Sequence, residues 1–283
     1  VDKQLVSRFM PSLSSFYLWV GLGTLFWGII VLLVVPLDRG IGSLTVALTV
    51  LSGAIWGLGL LLFFSTLRYE EVSRATPLYG TFPIFVALLA VLFLSERLTW
   101  LQWLAVLITV AGAVLISLRR QVPKFGHLAL TPSFWVLLSA SLVTAAAHLI
   151  TKHVLGELSL WNAYTLRQLG FAAPFLLVSL RPVAMLQVWD SLRNPTARWL
   201  MLGIEAIAGP AAVVLTLLAI QRGPVSLVST LTATRPLFVF LFATLLSTPL
   251  WRMMDEPLER GTLAVKLVSI VLIILGVSGI ALL

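Results

Sequence analysis

The sequence contains no cysteine, which removes disulfide frameworks, thiolate metal sites and cysteine nucleophiles. Charge is scarce as well, at 11% of the 283 residues, against roughly 25% in soluble globular chains. Acidic residues are the scarcer sign, 11 against 19 basic ones, for a net charge of +8. The basic residues lie between apolar runs and form no single patch, so the excess reads as topogenic charge and excludes a nucleic-acid surface. No phosphate-binding loop is present, which excludes direct drive by ATP. His148 has no second His or carboxylate at metal-ligand spacing, so a metal site is not expected, and no motif for a cofactor occurs. The connections supply no acid–base set at the ends of the apolar runs, so a membrane-embedded enzyme is not supported.

What the chain does have is hydrophobicity, 59% of its residues with a mean hydropathy of +1.04. Disorder and a soluble fold are both incompatible with that balance. A helix needs about 20 mostly apolar residues to cross a bilayer. Nine such runs are read: Ser15–Pro36, Leu44–Leu67, Val72–Leu94, Trp100–Leu118, Pro132–Leu155, Ser159–Leu180, Trp199–Ile220, Val225–Leu250 and Leu263–Leu283. The short alternating segments of a membrane barrel are missing. The fold class is therefore an all-α polytopic membrane protein with nine transmembrane helices. The longest connections, Arg119–Thr131, Arg181–Arg198 and Trp251–Thr262, are too short for a soluble catalytic domain. Function belongs among the helices.

The chain repeats itself. Ser65–Ser95 aligns without gaps to Leu218–Thr248, bringing Val72-Ser73 onto Val225-Ser226 and Thr81-Phe82-Pro83 onto Thr234-Arg235-Pro236. Gly112 matches Gly276, and upstream Lys3, Tyr17 and Gly23 match Lys152, Tyr164 and Gly170. This divides the chain into a first copy at 1–118, a loop at 119–131 and a second copy at 132–283. The second copy has five helices and the first has four, its alignment beginning near the tail of the second copy's first helix. A helix ahead of Val1, and ten helices in the complete form, are expected. Five helices per copy make the copies inverted, and loop charges follow the inversion: thirteen Lys and Arg fall on one side and Arg39, Arg97, Lys152 and Arg222 on the other. Inverted repeats are the architecture of secondary transporters, with the substrate near the midplane.

Pro77–Leu118 carries a proline within an apolar run (Pro83), Ser95-Glu96-Arg97 at a helix end and a closing helix with Gly112. In these features it resembles the end of an EamA-type repeat of the drug/metabolite transporter superfamily. The second copy keeps Pro236 and Gly276 but inserts Thr248–Leu258 before Glu259-Arg260. The resemblance implies ten helices around a central cavity that carries a small metabolite by alternating access, in a bacterial or archaeal cytoplasmic membrane. It also implies two cytoplasmic termini, whereas the loop charges place the C-terminus outside.

Ionisable groups inside spans cost about 2.5–3.5 kcal/mol on insertion scales and ordinarily face a cavity or a partner. Arg167, Glu205 and Arg235 are the clear cases. In a functional reading, Arg235 and Arg167 bind an anionic or carboxylate-bearing substrate, and Glu205 is the proton-responsive group. In the competing reading, Glu205 and one arginine form a static pair within a non-transporting scaffold. His148 is a candidate for proton coupling or a hydrogen-bonded packing residue. Pro83 and Pro236 are read as mid-helix kinks that line the cavity, hinged or fixed. Tyr79 and Tyr164 are preferred as lining residues over Trp19, Trp27 and Trp56, which also fit interfacial belts. Gly53-x-x-x-Gly57 marks close helix packing. The expected partners are the lipid bilayer, a small metabolite and protons.

Overall fold

The computed structural model of the chain describes residues 5, 9–66, 75, 78–117, 132–234, 238 and 268–276, and every regular element among them is a helix. In chain order these are α1 (Leu13–Val34), α2 (Ser43–Thr66), α3 (Phe82–Phe93), α4 (Trp100–Ser117), α5 (Pro132–Val154), α6 (Leu160–Ser179), α7 (Pro182–Arg193), α8 (Pro195–Arg198), α9 (Ala206–Arg222) and α10 (Val225–Thr232). A π-helix, Trp199–Glu205, joins α8 to α9, and residues 268–276 are helical. Among the described residues four continuous runs are long and apolar enough to cross a membrane: α1, α2, α5 and Pro195–Arg222. The bent pair of α6 and α7 raises the number to five.

Six of the nine apolar runs coincide with helices, while Val72–Leu94, Val225–Leu250 and Leu263–Leu283 lie partly outside the described residues. One connection is not a plain loop. Arg181–Arg198 folds into α7 and α8, each with a proline in its first turn, where the missing N–H costs no helical bond. Asn194 caps α8, its Oδ1 accepting from the amides of Thr196 and Ala197.

The outer surface, unlike that of a soluble protein, is rich in large apolar side chains, while the interior holds polar groups among its apolar ones. On α1 an outward stripe of Leu22, Phe26, Ile29 and Leu33 is exposed at helical spacing. Buried positions instead include Thr49, Ser52, Ser141, Thr144, Asn162, Thr165, Arg167 and Gln168. Apolar residues outside and polar groups inside suit a chain whose surroundings are lipid.

Compactness divides the chain into Val1–Ser65 with Ala146–Gly223, and Thr66–Ala145 with Pro224–Leu283. Each unit combines an earlier and a later stretch of the chain. In the first unit α1 and α6 run antiparallel: Gly21 lies against Phe175 and Leu176, and Gly28 against Gln168 and Leu169. In the second unit α4 and residues 268–276 do the same, Gly112 meeting Leu272 and Ile273 while Gly276 meets Ala105 and Thr109. Val110 and Ala233 pack there with Ile84 and Val114.

Candidate functional site

In the first unit the charged residue buried among the described residues, Arg167, lies on α6. Ser159 caps this helix by accepting from the Asn162 amide at 3.3 Å, and residues from Asn162 to Phe175 are buried over most of its circumference. Such burial requires close neighbours, and α2 supplies them through small residues. A side chain at Gly53 would overlap the Arg167 carbonyl, and one at Gly170 would overlap the Val50 carbonyl. Gly53-x-x-x-Gly57 is thus the packing surface its spacing indicates.

That close approach positions Arg167, which is 2% exposed, with its guanidinium 4.2 Å from the centre of the Trp56 ring. Phe171 supports the indole from one helical turn on, with ring centroids 4.5 Å apart. The stacking is a cation–π contact, strengthened by exclusion of water. It leaves donors over: Arg167 Nε and Nη2 are buried and meet no hydrogen-bond acceptor among the described residues. Thr165 Oγ1 and Gln168 Oε1, on the same helix, are also buried and meet no partner among the described residues. Sequence reasoning ranked Trp56 below the tyrosines, because an indole in a span has many ordinary uses. The x-Gly-x-x-Trp-Gly context around residues 53–57 was the available signal.

Glu205 is the last residue of the π-helix Trp199–Glu205. The irregularity has a local cause. Pro210 stands inside α9 and removes the amide that would bond to the Ala206 carbonyl. Trp27 Nε1 of α1 donates to that carbonyl instead, at 2.7 Å. Lys152 has a comparable duty, its Nζ donating to the Ile220 and Gly223 carbonyls, both at 2.8 Å, at the end of α9. His148 and Tyr164 are buried in this unit, on α5 and α6.

The second unit contains Tyr79 and Pro83. Tyr79 is tied to α5, its hydroxyl 3.1 Å from Thr144 Oγ1 and its carbonyl accepting from Ser141 Oγ at 2.9 Å. Pro83 corrects the expectation of a mid-helix kink. It stands in the first turn of α3, and the interruption is the turn at Gly80–Thr81 ahead of it. The prolines inside described helices are Pro174 and Pro210. The break itself is duplicated. Thr81 donates to the Leu78 carbonyl through N–H at 3.2 Å and Oγ1 at 2.7 Å. Thr234 donates to the Leu231 carbonyl through N–H at 3.1 Å and Oγ1 at 2.7 Å. Arg235 and Pro236, just beyond the second break, lie outside the described residues.

Ser95-Glu96-Arg97 also acquires a role. Ser95 takes a left-handed φ of 53° as α3 ends, and the Glu96 carboxylate accepts from the amides of Val225 and Ser226 and from Ser226 Oγ. It caps α10 from a distant stretch of chain, with its charge at the positive end of the helix. The side chain's partner was not legible, because nothing local connects residue 96 with residue 225.

Residues 1–118 match the EamA-like transporter family. A protein of Streptantibioticus cattleyicolor named "Probable terminal-alkyne amino-acid exporter" is 37% identical over 89 residues, 31% of this chain and 28% of that one. An uncharacterized transporter in the cobO 3′ region of Sinorhizobium sp is 37% identical over 67 residues, 24% of this chain and 48% of that one. The chain therefore aligns with less than half the length of either curated relative. A solved crystal structure superposes with a TM-score of 0.65 over 99% of this chain and 90% of that one, and at 18% identity shares the fold alone.

Proposed function

We propose that the chain, which matches the EamA-like transporter family through residues 1–118, is a membrane transporter that exports a small amino-acid-like metabolite whose carboxylate is bound by Arg167. The observation that carries this reading is the pair of buried guanidinium donors that meet no acceptor among the described residues, held over Trp56. A purely structural arginine spends its donors on protein acceptors, since an unpaired buried charge is costly. Donors kept free beside an aromatic plane suit a planar carboxylate, which a guanidinium binds in a charge-assisted, bidentate fashion. The exporter from Streptantibioticus cattleyicolor supports an amino acid as the substrate class.

The transport cycle proposed is alternating access between two inverted copies, 1–118 and 132–283, joined by 119–131, in a bacterial or archaeal cytoplasmic membrane. Support comes from the antiparallel course of equivalent helices, α1 with α6 and α4 with residues 268–276, and from the matching helix breaks at Thr81 and Thr234. Arg235 contributes a second cation and Glu205 couples efflux to protons. An ionisable residue in a membrane helix, at the end of a π segment, stands where functional groups often do.

The test uses propargylglycine, a terminal-alkyne amino acid, and its methyl ester in vesicles reconstituted with the full chain. Counterflow of propargylglycine is expected, with the ester a weak competitor. Arg167→Met should abolish counterflow, and Arg167→Lys should retain part of it with a raised KM. Equal competition by acid and ester, or intact counterflow in Arg167→Met, would overturn the assignment.

A further inference from the structure

We propose that α7 is an interfacial helix that lies in the headgroup layer and draws anionic phospholipid to Arg181, Arg193 and Arg198. The inference is independent of what the protein transports. The axis of α7 turns 107° from that of α6. With 20 residues, α6 is about 30 Å long, the depth of the hydrocarbon core. An α6 that crosses the bilayer therefore lays α7 along its surface. The 12 residues of α7 are too few to cross by themselves.

The rotation of α7 about its own axis is set by its contacts. Ala184, Val188 and Ser191, spaced i, i+4 and i+7, are buried against the protein. Ser191 Oγ donates to the Phe9 carbonyl at 3.0 Å, and Ser12 Oγ to Gln187 Oε1 at 2.5 Å, which fastens α7 beside the start of α1. Met185, Leu186 and Trp189 are thereby turned outward, at 49%, 65% and 61% exposure. A contiguous apolar surface of this kind is costly in water. Tryptophan is also the residue most suited to the headgroup level, with an apolar ring and a polar N–H.

Charge selects the lipid. Arg181 precedes the helix, Arg193 is in its last turn, and Arg198 follows closely; all three are exposed. Between 181 and 198 the single acid is Asp190, 3.5 Å from Arg193, so three positive charges face one negative. An outward apolar face flanked by arginines has the composition of helices that bind anionic bilayer surfaces.

Because the chain contains no cysteine, single cysteines report individual sites. Spin labels at Leu186→Cys and Trp189→Cys, and at Arg39→Cys in the exposed connection between α1 and α2 as the water reference, are compared in full-length protein reconstituted into phosphatidylcholine vesicles with and without phosphatidylglycerol. A label at Phe26→Cys, on the exposed face of α1, is the in-bilayer reference. Labels at 186 and 189 should be several-fold less accessible to the water-soluble relaxant Ni-EDDA than the label at 39, while remaining open to oxygen as at 26. Phosphatidylglycerol should deepen the label at 189. The combined Arg181→Gln, Arg193→Gln and Arg198→Gln variant should lose that deepening and keep the shielding. Equal Ni-EDDA access at all three sites places α7 in water, and shielding from oxygen as well means that protein covers this face. Either outcome, or a depth indifferent to anionic lipid, refutes the proposal.

Discussion

A backbone carbonyl in a membrane-spanning helix has no water to turn to, and Pro210 deprives that of Ala206 of its usual donor. Trp27 fills the role at 2.7 Å, so an aromatic that reads as a belt or stacking residue acts as a remote hydrogen-bond donor. Trp27→Phe should lower the thermal unfolding midpoint of the purified protein, leaving one partly buried acceptor without its donor at a cost of about 1 kcal/mol. Pro210→Ala restores the local amide, so in that background Trp27→Phe should cost far less. Strict additivity in this double-mutant cycle would show that the two residues do not share the Ala206 carbonyl. Arg167 presents the complementary case. Its presence in a span was plain from the sequence and marked it as functional or paired. Which donors are engaged depends on Trp56 and on the glycines that admit it, residues more than a hundred positions away.

Helix ends were partly legible and partly not. The serine before α6 and the prolines that open α7 and α8 are local signals, and the structure uses them locally. The ends around Gly223-Pro224 are different, because both depend on distant side chains. Lys152 takes up the carbonyls that close α9, and Glu96 takes up the amides that open α10. Each charge sits at the helix end of opposite partial charge. Glu96→Ala should destabilise the protein by about 0.5–2 kcal/mol, the usual worth of an N-cap, and hydrogen exchange should rise first at Val225 and Ser226. Unchanged exchange at those two amides would remove Glu96 from this role. The connection Arg181–Arg198 was undervalued because its apolar residues are too few for a span. The periodicity that matters there is that of a short surface helix with two different partners, protein and lipid.

At the scale of the molecule, the proposed proton coupling makes a direct prediction for Glu205. Export by the wild-type chain should vary with the external pH, while Glu205→Gln should transport at a rate that no longer follows it. Efflux of preloaded propargylglycine across a pH series measures both, and a variant with the wild-type profile would discard Glu205 as the coupling group. The membrane class and the positions of six apolar helical runs were accessible from residues alone. Hydropathy needs only a window of sequence. The equivalence of the helix breaks could be read in the paired Thr-x-Pro triplets, although their geometry could not. Only tertiary structure decided that Pro83 opens a helix where a kink was expected, that Trp56 covers Arg167, and that Glu96 and Trp27 satisfy backbone groups far along the chain. The physical reason is shared. In lipid each buried polar group must find its partner within the protein, and the nearest partner in space is set by helix packing across distances that no local pattern encodes.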